Sequence, residues 1–166
     1  REVQFINENV GFIAGDRVTV DPYMYLYDQI LLKTTDGGDN WIECVGYDKS
    51  HYRFGDMQFI DEREGWMAVN NTGNLNWDDR QGVLLHTGDG GMSWEAQSVM
   101  PFFLCYSIAF IDRETGYSFW SPWIDNYDDT DVYYTDDGGR SWQYRGSIIE
   151  DIIGGNAAAD ADHLWA

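Results

Sequence analysis

One eight-residue motif, T-x-D-x-G-x-x-W, is written three times in this chain, at residues 34–41, 87–94 and 135–142. Its Asp positions, Asp36, Asp89 and Asp137, recur with a nearly constant period. A period of about 50 residues is typical of propeller blades, and helical hairpin repeats are only slightly shorter. The chain is therefore a repeat protein, and we refer to each copy of the motif as an Asp turn.

A second landmark precedes each Asp turn: a Phe followed six positions later by a Gly and an aromatic residue. The three copies begin at Phe5, Phe59 and Phe110, with the Gly at Gly11, Gly65 and Gly116. The apolar runs between landmarks, such as ILLKT and VLLHT, are short and rich in β-forming residues, and Gly-Gly turns interrupt them. Each unit is predicted to be a meander of four antiparallel strands, A to D, with the Asp turn between C and D. No helix is expected.

The predicted fold class is therefore all-β, a β-propeller segment of about three four-stranded antiparallel blades with the start of a fourth. Blade 1 is placed at about 1–48, blade 2 at about 55–100, blade 3 at about 106–150 and the fourth at about 156–166. In the last segment Trp165 occupies the position that Trp66 has in the second unit, although Ala158 and Leu164 are found where the landmark Phe and Gly are expected. Because propeller rings have about four to eight blades, we expect the ring to be completed by missing sequence or by a second copy.

The charge of the chain restricts its partners. It has 29 acidic against 10 basic residues, a net charge of −19, which repels nucleic acid and anionic lipid. With 43% hydrophobic and 16% aromatic residues the chain is predicted to fold, and no apolar run approaches the roughly 18 residues needed to insert into a membrane. Cationic, calcium-bearing or neutral sugar-like partners remain open. A secreted, periplasmic or cell-surface location is expected.

The Asp turn is predicted to be structural. Asp89 can accept hydrogen bonds from backbone N–H groups of its own turn, Gly91 supplies a positive φ, and Trp94 is expected to bury its ring between blades. A catalytic or metal-binding role is disfavoured, because one site does not need three identical copies on three blades. The structural set is Thr34, Asp36, Gly38, Trp41, Thr87, Asp89, Gly91, Trp94, Thr135, Asp137, Gly139 and Trp142.

These residues carry a family resemblance. The S/T-x-D-x-G-x-x-W/F turn resembles the Asp-box, or BNR repeat, of sialidases, sortilin-type receptors and some glycoside hydrolases. The combination F-I-D-x-x-x-G-W, then x-L-L-x-T-x-D-G-G-x-S-W, is similar to the repeat of the photosystem II assembly and stability factors and their relatives in non-photosynthetic bacteria. The resemblance implies a propeller in which the box is structural and lies away from the ligand face. It implies no single activity, because the superfamily includes hydrolases, receptors and scaffolds.

Binding residues are predicted at the opposite end of the blades, on the B–C loops and the D–A links. The span from the landmark Gly to the turn Asp differs in all three units (11 to 36, 65 to 89 and 116 to 137), as expected for binding loops on a constant scaffold. Aromatic rings there suit sugars or cationic side chains, and carboxylates suit hydroxyls, Lys, Arg or calcium. The predicted ligand-binding residues are Tyr23, Tyr25, Tyr27, Asp28, Trp77, Asp78, Asp79, Phe102, Trp123, Asp125, Tyr127 and Asp128. In the alternative, the three tyrosines extend a strand and pack on the blade.

The function predicted from these features is a non-enzymatic recognition or assembly module that binds a protein or glycan partner. The alternative is part of a sialidase-like or other glycoside hydrolase propeller. A sialidase needs three Arg around the substrate carboxylate. Arg17, Arg53 and Arg80 lie in suitable loops, but no Arg-Ile-Pro motif precedes the first Asp turn.

No cofactor is expected, and the identity of any metal is left open. The acidic run at 125–131 lacks the Gly and Glu of a helix-loop-helix calcium loop, which favours a solvated loop over a weak calcium site. Cys44 and Cys105 occupy non-equivalent positions in their units, which favours two buried thiols over a disulfide.

Overall fold

A computed structural model describes residues 2–21, 24–44, 52–71, 81–101, 103–122, 129–149, 158–160 and 163–164. Side chains are described for all of these except 19–21, 24–29, 101, 103, 121–122, 129, 149 and the strands after 157. These residues form fourteen β-strands, and no helix occurs among them. Accordingly, the part of the chain that is described holds no helix able to cross a membrane.

Three antiparallel sheets of four strands follow one another along the chain, each a meander in which sequence neighbours pair. We call them blades, as predicted, and the all-β expectation is confirmed. Blade 1 holds β1 (Glu2–Phe5), β2 (Gly11–Asp21), β3 (Met24–Thr34) and β4 (Ile42–Cys44). Blade 2 holds β5 (Tyr52–Phe59), β6 (Gly65–Asn71), β7 (Gln81–Thr87) and β8 (Glu95–Pro101). Blade 3 holds β9 (Phe103–Phe110), β10 (Gly116–Pro122), β11 (Asp129–Thr135) and β12 (Gln143–Ile149). A two-stranded sheet of β13 (Ala158–Asp160) and β14 (His163–Leu164) follows.

The fixed spacing from Phe to Gly has a packing cause. Phe59 and Gly65 are paired across β5 and β6, and the phenyl ring of Phe59 lies over Gly65. A Cβ atom added at Gly65 would stand 2.5 Å from Cδ1 of Phe59, which is too close for any side chain. The same overlap recurs at the other two landmarks, so the Gly is required wherever the Phe is present.

Each A–B turn contacts the Asp turn of its own blade. The Gly90 N–H donates to the Arg63 carbonyl at 2.8 Å, and Gly37 and Gly138 donate to Asn9 and Glu114 in the same way. The A–B and C–D connections of each blade therefore lie at the same end, as the meander predicts. The B–C connections lie at the other end.

The blades pack face to face. We call the face of a blade that carries the strand-A Phe its leading face, and the opposite face its trailing face. The trailing face of blade 1 (Val10, Phe12, Ala14, Leu31, Cys44) forms one core with Met57 and Phe59 from the leading face of blade 2. A matching core joins blades 2 and 3, formed by Trp66, Ala68, Leu84, Cys105, Ile108, Phe110 and Trp120.

Cys44 and Cys105 are both buried free thiols in these cores, in line with the sequence analysis. Burial raises the pKa of the Cys105 thiol well above its usual value, and the nearby Asp56 charge adds to this. Both cysteines are therefore packing residues.

Candidate functional site

The Asp turn is closed by a network within itself, seen clearly at Asp89. Oδ1 of Asp89 accepts the backbone N–H groups of Met92 (3.0 Å) and Ser93 (2.9 Å) and the hydroxyl of Thr87 (2.8 Å). Its other oxygen accepts the hydroxyl of Ser93 at 2.6 Å. The oxygen of Thr87 in turn accepts the N–H of Gly91, whose φ is +85°. The carboxylate is thus engaged on both oxygens, which supports the structural role predicted for the turn.

All three turn carboxylates are held in their charged form. The Ser93 hydroxyl and the turn N–H groups lower the pKa of Asp89 to about 2 against a cost of burial, and the amide of Asn40 does the same for Asp36. At Asp137 burial is the largest single effect and raises the pKa, but the Ser141 bonds and their neighbours outweigh it and bring the pKa to about 2. A depressed pKa here marks a satisfied turn rather than a proton donor.

The prediction that the turn tryptophans are buried between blades is wrong in degree. Trp41, Trp94 and Trp142 are only partly buried, because they stand at the end of the sheet. Trp94 packs edge-on against Phe59 of its own blade, with centroids 6.0 Å apart. Two fully buried tryptophans lie at the junction of blades 2 and 3: Trp66, which follows the landmark Gly, and Trp120.

A glutamine side chain clamps blade 1 to blade 2, and another clamps blade 2 to blade 3. The amide of Gln4 donates to the Phe59 carbonyl (2.8 Å) and accepts the Phe59 N–H (2.7 Å). Gln58 repeats both bonds on Phe110, at 3.0 and 2.5 Å. Strand A is the edge strand of its blade, with backbone groups that no strand of its own sheet satisfies. The side-chain amide satisfies them as a neighbouring strand would, and we call this pair of bonds the Gln clamp.

A second polar contact stands five positions after the landmark Gly. At the junction of blades 1 and 2, Asp16 accepts the Phe54 N–H at 3.0 Å. At the next junction Asn70 accepts the Cys105 N–H and donates to the Cys105 carbonyl, both at 2.8 Å. The buried carboxylate of Asp56 also accepts the Ile108 N–H. The joining of blades therefore accounts for these polar side chains, of which Asp56 and Asn70 are buried.

Aromatic stacking completes each junction. Phe12 lies parallel to Phe59 of the next blade, with centroids 3.6 Å apart, and Trp66 lies parallel to Phe110 at 3.9 Å. Trp66 also donates its Nε1–H to the Gly138 carbonyl in the following Asp turn. At the equivalent place in the first junction, Lys33 donates to the Gly90 carbonyl at 3.3 Å.

The trailing face of blade 3 departs from this pattern. Ala109 stands in the place of Gln4 and Gln58, so this blade has no Gln clamp to offer. Tyr117 replaces the buried aromatic residue, and its ring packs edge-on against Tyr134, which Arg145 covers at 4.6 Å from the ring centroid.

At the other end of the blades, most of the predicted ligand-binding residues lie outside the described residues. These are Tyr23, Trp77, Asp78, Asp79, Phe102, Trp123, Asp125, Tyr127 and Asp128. Tyr25, Tyr27 and Asp28 have a described backbone and lie in β3, paired with Val20, Val18 and Arg17 of β2. The expectation that this part of the first B–C connection is a loop is therefore wrong, because the alternating sequence continues the strand.

The β2–β3 hairpin is long. Its ladder has eleven residue pairs, from Gly11↔Thr34 to Asp21↔Met24, whereas the described ladder of β6 and β7 has seven. Four extra pairs correspond to about 13 Å at about 3.3 Å per residue. Among the described residues, which exclude residue 1 and residues 45–51, β1 pairs with β2 as far as Ala14 and β4 pairs with β3 from Leu31. We call residues 15–21 and 24–30 the ribbon. In the described structure no strand pairs with its outer edges.

The described structure does not bring together the Arg residues considered for a sialidase site. Arg17 lies in β2 and pairs with Glu43 at 3.2 Å, Arg53 lies in β5 of the next blade, and Arg80 falls outside the described residues. No group of three metal-binding side chains occurs in the part of the chain that is described.

A small surface pocket lies at the Asp-turn end of blade 2, lined by His86, Asp89, Ser93, Trp94 and Glu95. His86 is 3.0 Å from Glu64 and Asp89 is engaged in its turn, so the polar groups of this pocket are used internally.

Comparison with known proteins supports the fold. No protein-family model and no curated protein sequence match this chain. Among solved structures the chain is similar to one described as YCF48 bound to D1 peptide, with 26% sequence identity and a TM-score of 0.58. The match covers 86% of this chain and 38% of that chain, so the chain spans well under half the length of this neighbour. The chain is a β-propeller segment with repeated four-stranded blades.

Proposed function

We propose that this chain is part of a non-enzymatic propeller that binds a protein partner at the end of the blades opposite the Asp turns. The observation that carries the proposal is the ribbon, which extends blade 1 at that end. The partner we propose is an extended protein segment. The solved neighbour described as YCF48 bound to D1 peptide supports a peptide ligand for a propeller of this kind.

The ribbon has the properties of a peptide-binding edge. A β-strand with unpaired backbone N–H and C=O groups is a template for another extended chain, and strand addition is a recurrent mode of peptide recognition. Residues 24–30 of β3 lie beyond the part that β4 pairs with among the described residues, and we propose them as this edge. The predicted contact residues Tyr25 and Tyr27 lie along it, and alternate positions on a strand can select side chains of the added peptide.

Charge sets the chemistry of the partner. With 29 acidic and 10 basic residues, the chain attracts a basic segment and repels an acidic one. We therefore propose a Lys- or Arg-containing segment, whose association is faster at low salt. The remaining predicted contact residues, such as Trp77 and Trp123, supply aromatic side chains that suit these cations.

The test is a selection from a displayed library of random dodecapeptides, followed by measurement of affinity for a ribbon-deleted variant. In that variant residues 18–27 are replaced by Asn-Gly, which forms a tight turn closing on the Arg17↔Asp28 pair. We expect basic peptides to be selected and their binding to be lost in the variant. Retention of full affinity by the variant would refute the ribbon as the site.

A matched control changes the other end of the molecule. Met92→Ser alters an exposed side chain in an Asp turn and is expected to leave peptide binding unchanged. Thermal unfolding of the ribbon-deleted variant should match that of the parent chain, because the core that joins blades 1 and 2 is built from residues outside 18–27. A glycan array run in parallel separates a sugar ligand from a peptide ligand.

Two finer assignments go with this proposal. We assign the Asp turns to the Asp-box class, which their internal network and positive-φ glycines support. We also propose a secreted, periplasmic or cell-surface location, which the resemblance stated above supports. A glycoside hydrolase remains the alternative function, and turnover of any glycan on the array would favour it.

A further inference from the structure

The leading face of blade 1 is open, although the same face of blades 2 and 3 is covered. Phe5 is 46% exposed, whereas its equivalents Phe59 and Phe110 are 2% and 3% exposed. Two positions earlier, Val3 is 60% exposed, and its equivalents are again buried in the inter-blade cores (Met57 and Ile108). The open face is therefore an apolar surface whose covered form is seen twice in the same molecule.

The two covered copies define what fits this face. Each receives a Gln clamp on the backbone of its strand-A Phe and a parallel aromatic ring on the phenyl group. Each also receives a donor at the carbonyl of the Gly that directly follows the turn Asp, which is Gly90 in blade 2 and Gly138 in blade 3. Phe5 and Gly37 hold these positions in blade 1, so the same groups are present there.

We propose that the leading face of blade 1 docks a further blade of this same repeat, one that carries a Gln on strand A beside an aromatic residue on strand B. A second copy of this chain fits less well. Its blades 1 and 2 already use their Gln residues internally, and its blade 3 has Ala109 at that position. This inference does not depend on the proposed function, because it concerns the leading face of blade 1 and not the ribbon.

The experiment supplies such a blade. Residues 1–54 are duplicated ahead of Arg1, which makes the connection from the added Cys44 to Phe5 as long as the natural one from Cys44 to Phe59. Val3→Cys is introduced in the original copy only, and reaction of its thiol with Ellman's reagent is followed by absorbance. Because a thiol buried at a junction reacts only through local opening, we expect the rate in the fusion to be about 100-fold or more below that in the single chain.

Paired variants make the test specific. Gln4→Ala in the added copy should restore much of the reactivity, because it removes the clamp on Phe5. The same substitution in the original copy should leave the reaction rate unchanged, because that clamp acts on Phe59. A thiol that is as reactive in the fusion as in the single chain overturns the proposal.

The single chain provides a second measurement that needs no added blade. The introduced thiol should react quickly at every protein concentration, and the chain should sediment as a monomer. Protection that grows with concentration and disappears in Phe5→Glu would assign the face to a second copy, and would overturn the proposal. Protection at every concentration would show that the face is already covered, with the same consequence.

Discussion

Phe5 and Phe59 are the same residue at the same place in two blades, and truncating each to Ala separates junction packing from blade packing. A phenylalanine side chain offers about 200 Å² to burial, so the exposure difference of 44 points (46 − 2) is about 90 Å², or about 2 kcal/mol at about 25 cal/mol per Å². The parallel stack of Phe59 on Phe12 adds about 1 kcal/mol. Phe59→Ala should therefore destabilise the chain by about 3 kcal/mol more than Phe5→Ala.

The measurement is equilibrium unfolding in urea, followed by tryptophan fluorescence and by circular dichroism on the same samples. Buried Phe→Ala substitutions cost about 3–5 kcal/mol, so we expect about 4 kcal/mol for Phe59→Ala and about 1 kcal/mol for Phe5→Ala. Phe110→Ala serves as an internal replicate, because Phe110 is as buried as Phe59 and is stacked on Trp66. It should give the same loss as Phe59→Ala.

Equal losses at Phe5 and Phe59 would refute this reasoning. They would mean that the phenyl ring contributes mainly within its own blade, through its contact with the landmark Gly and the turn Trp, and that stacking between blades adds little. A loss at Phe110 far below that at Phe59 would contradict the equivalence of the two junctions.

Three further predictions follow from the contacts. Gln58→Glu should destabilise the chain at neutral pH, because one carboxylate oxygen then faces the Phe110 carbonyl. Folding raises the pKa of the new carboxyl, so the lost stability should return as pH falls and be fully present below the unfolded pKa of about 4.3. If the urea midpoint of the variant differs from that of the parent by the same amount at pH 4 and at pH 7, the clamp is contradicted. For Asp89, folding lowers the pKa from 3.8 to about 2, so its contribution is present above 3.8 and is lost as pH falls toward 2. Asp89→Asn should lower stability by about 1 kcal/mol or less at neutral pH, since the turn is solvent-screened, and should flatten the fall in Tm between pH 4 and 2. A slope unchanged from the parent would argue against the turn network. Cys105, buried and with a raised pKa, should not react with Ellman's reagent until urea unfolds the chain. Immediate reaction of the native protein would contradict the packing of this core.

The fold was predictable where the information is local. An Asp turn needs a hydroxyl, a carboxylate and a positive-φ Gly at fixed spacing, and the chain repeats this set three times. Asp89 therefore bonds within its own turn, as its sequence suggests. The meander follows because short β-forming runs are separated by such turns.

The junctions were less accessible, because each of their bonds joins side chains and backbone of two different repeats. The dipeptide Gln-Phe occurs at both Gln4-Phe5 and Gln58-Phe59, which is a signal that aligning the units would have found. The function of the Gln is visible only once the facing edge strand is in place. The turn Trp was expected to be the buried ring for the same reason: spacing identifies the residue, but not how far along the sheet the next blade extends.

The candidate site was predicted only in outline. Alternating residues such as Tyr25 and Tyr27 suit both a binding loop and a strand, and the pairing with Val20 and Val18 decides for the strand. Composition supplied the sign of the partner's charge, while the edge that could receive a peptide depends on how far β4 pairs along β3. Among the described residues that pairing is seen from Leu31 to Lys33, and the sequence does not mark its extent.

Blade 2 has a neighbour on each side, and β6 is buried at six successive residues, 65–70. Freeing the amides of β6 therefore requires the loss of a whole adjacent blade, whereas fraying of either flank leaves them closed. Native-state hydrogen exchange should be slowest in the middle of the chain, and disorder should advance inward from both ends. The central blade of this repeat array is thus its most persistent folding unit, although its share of apolar residues is no larger than that of the neighbouring blades.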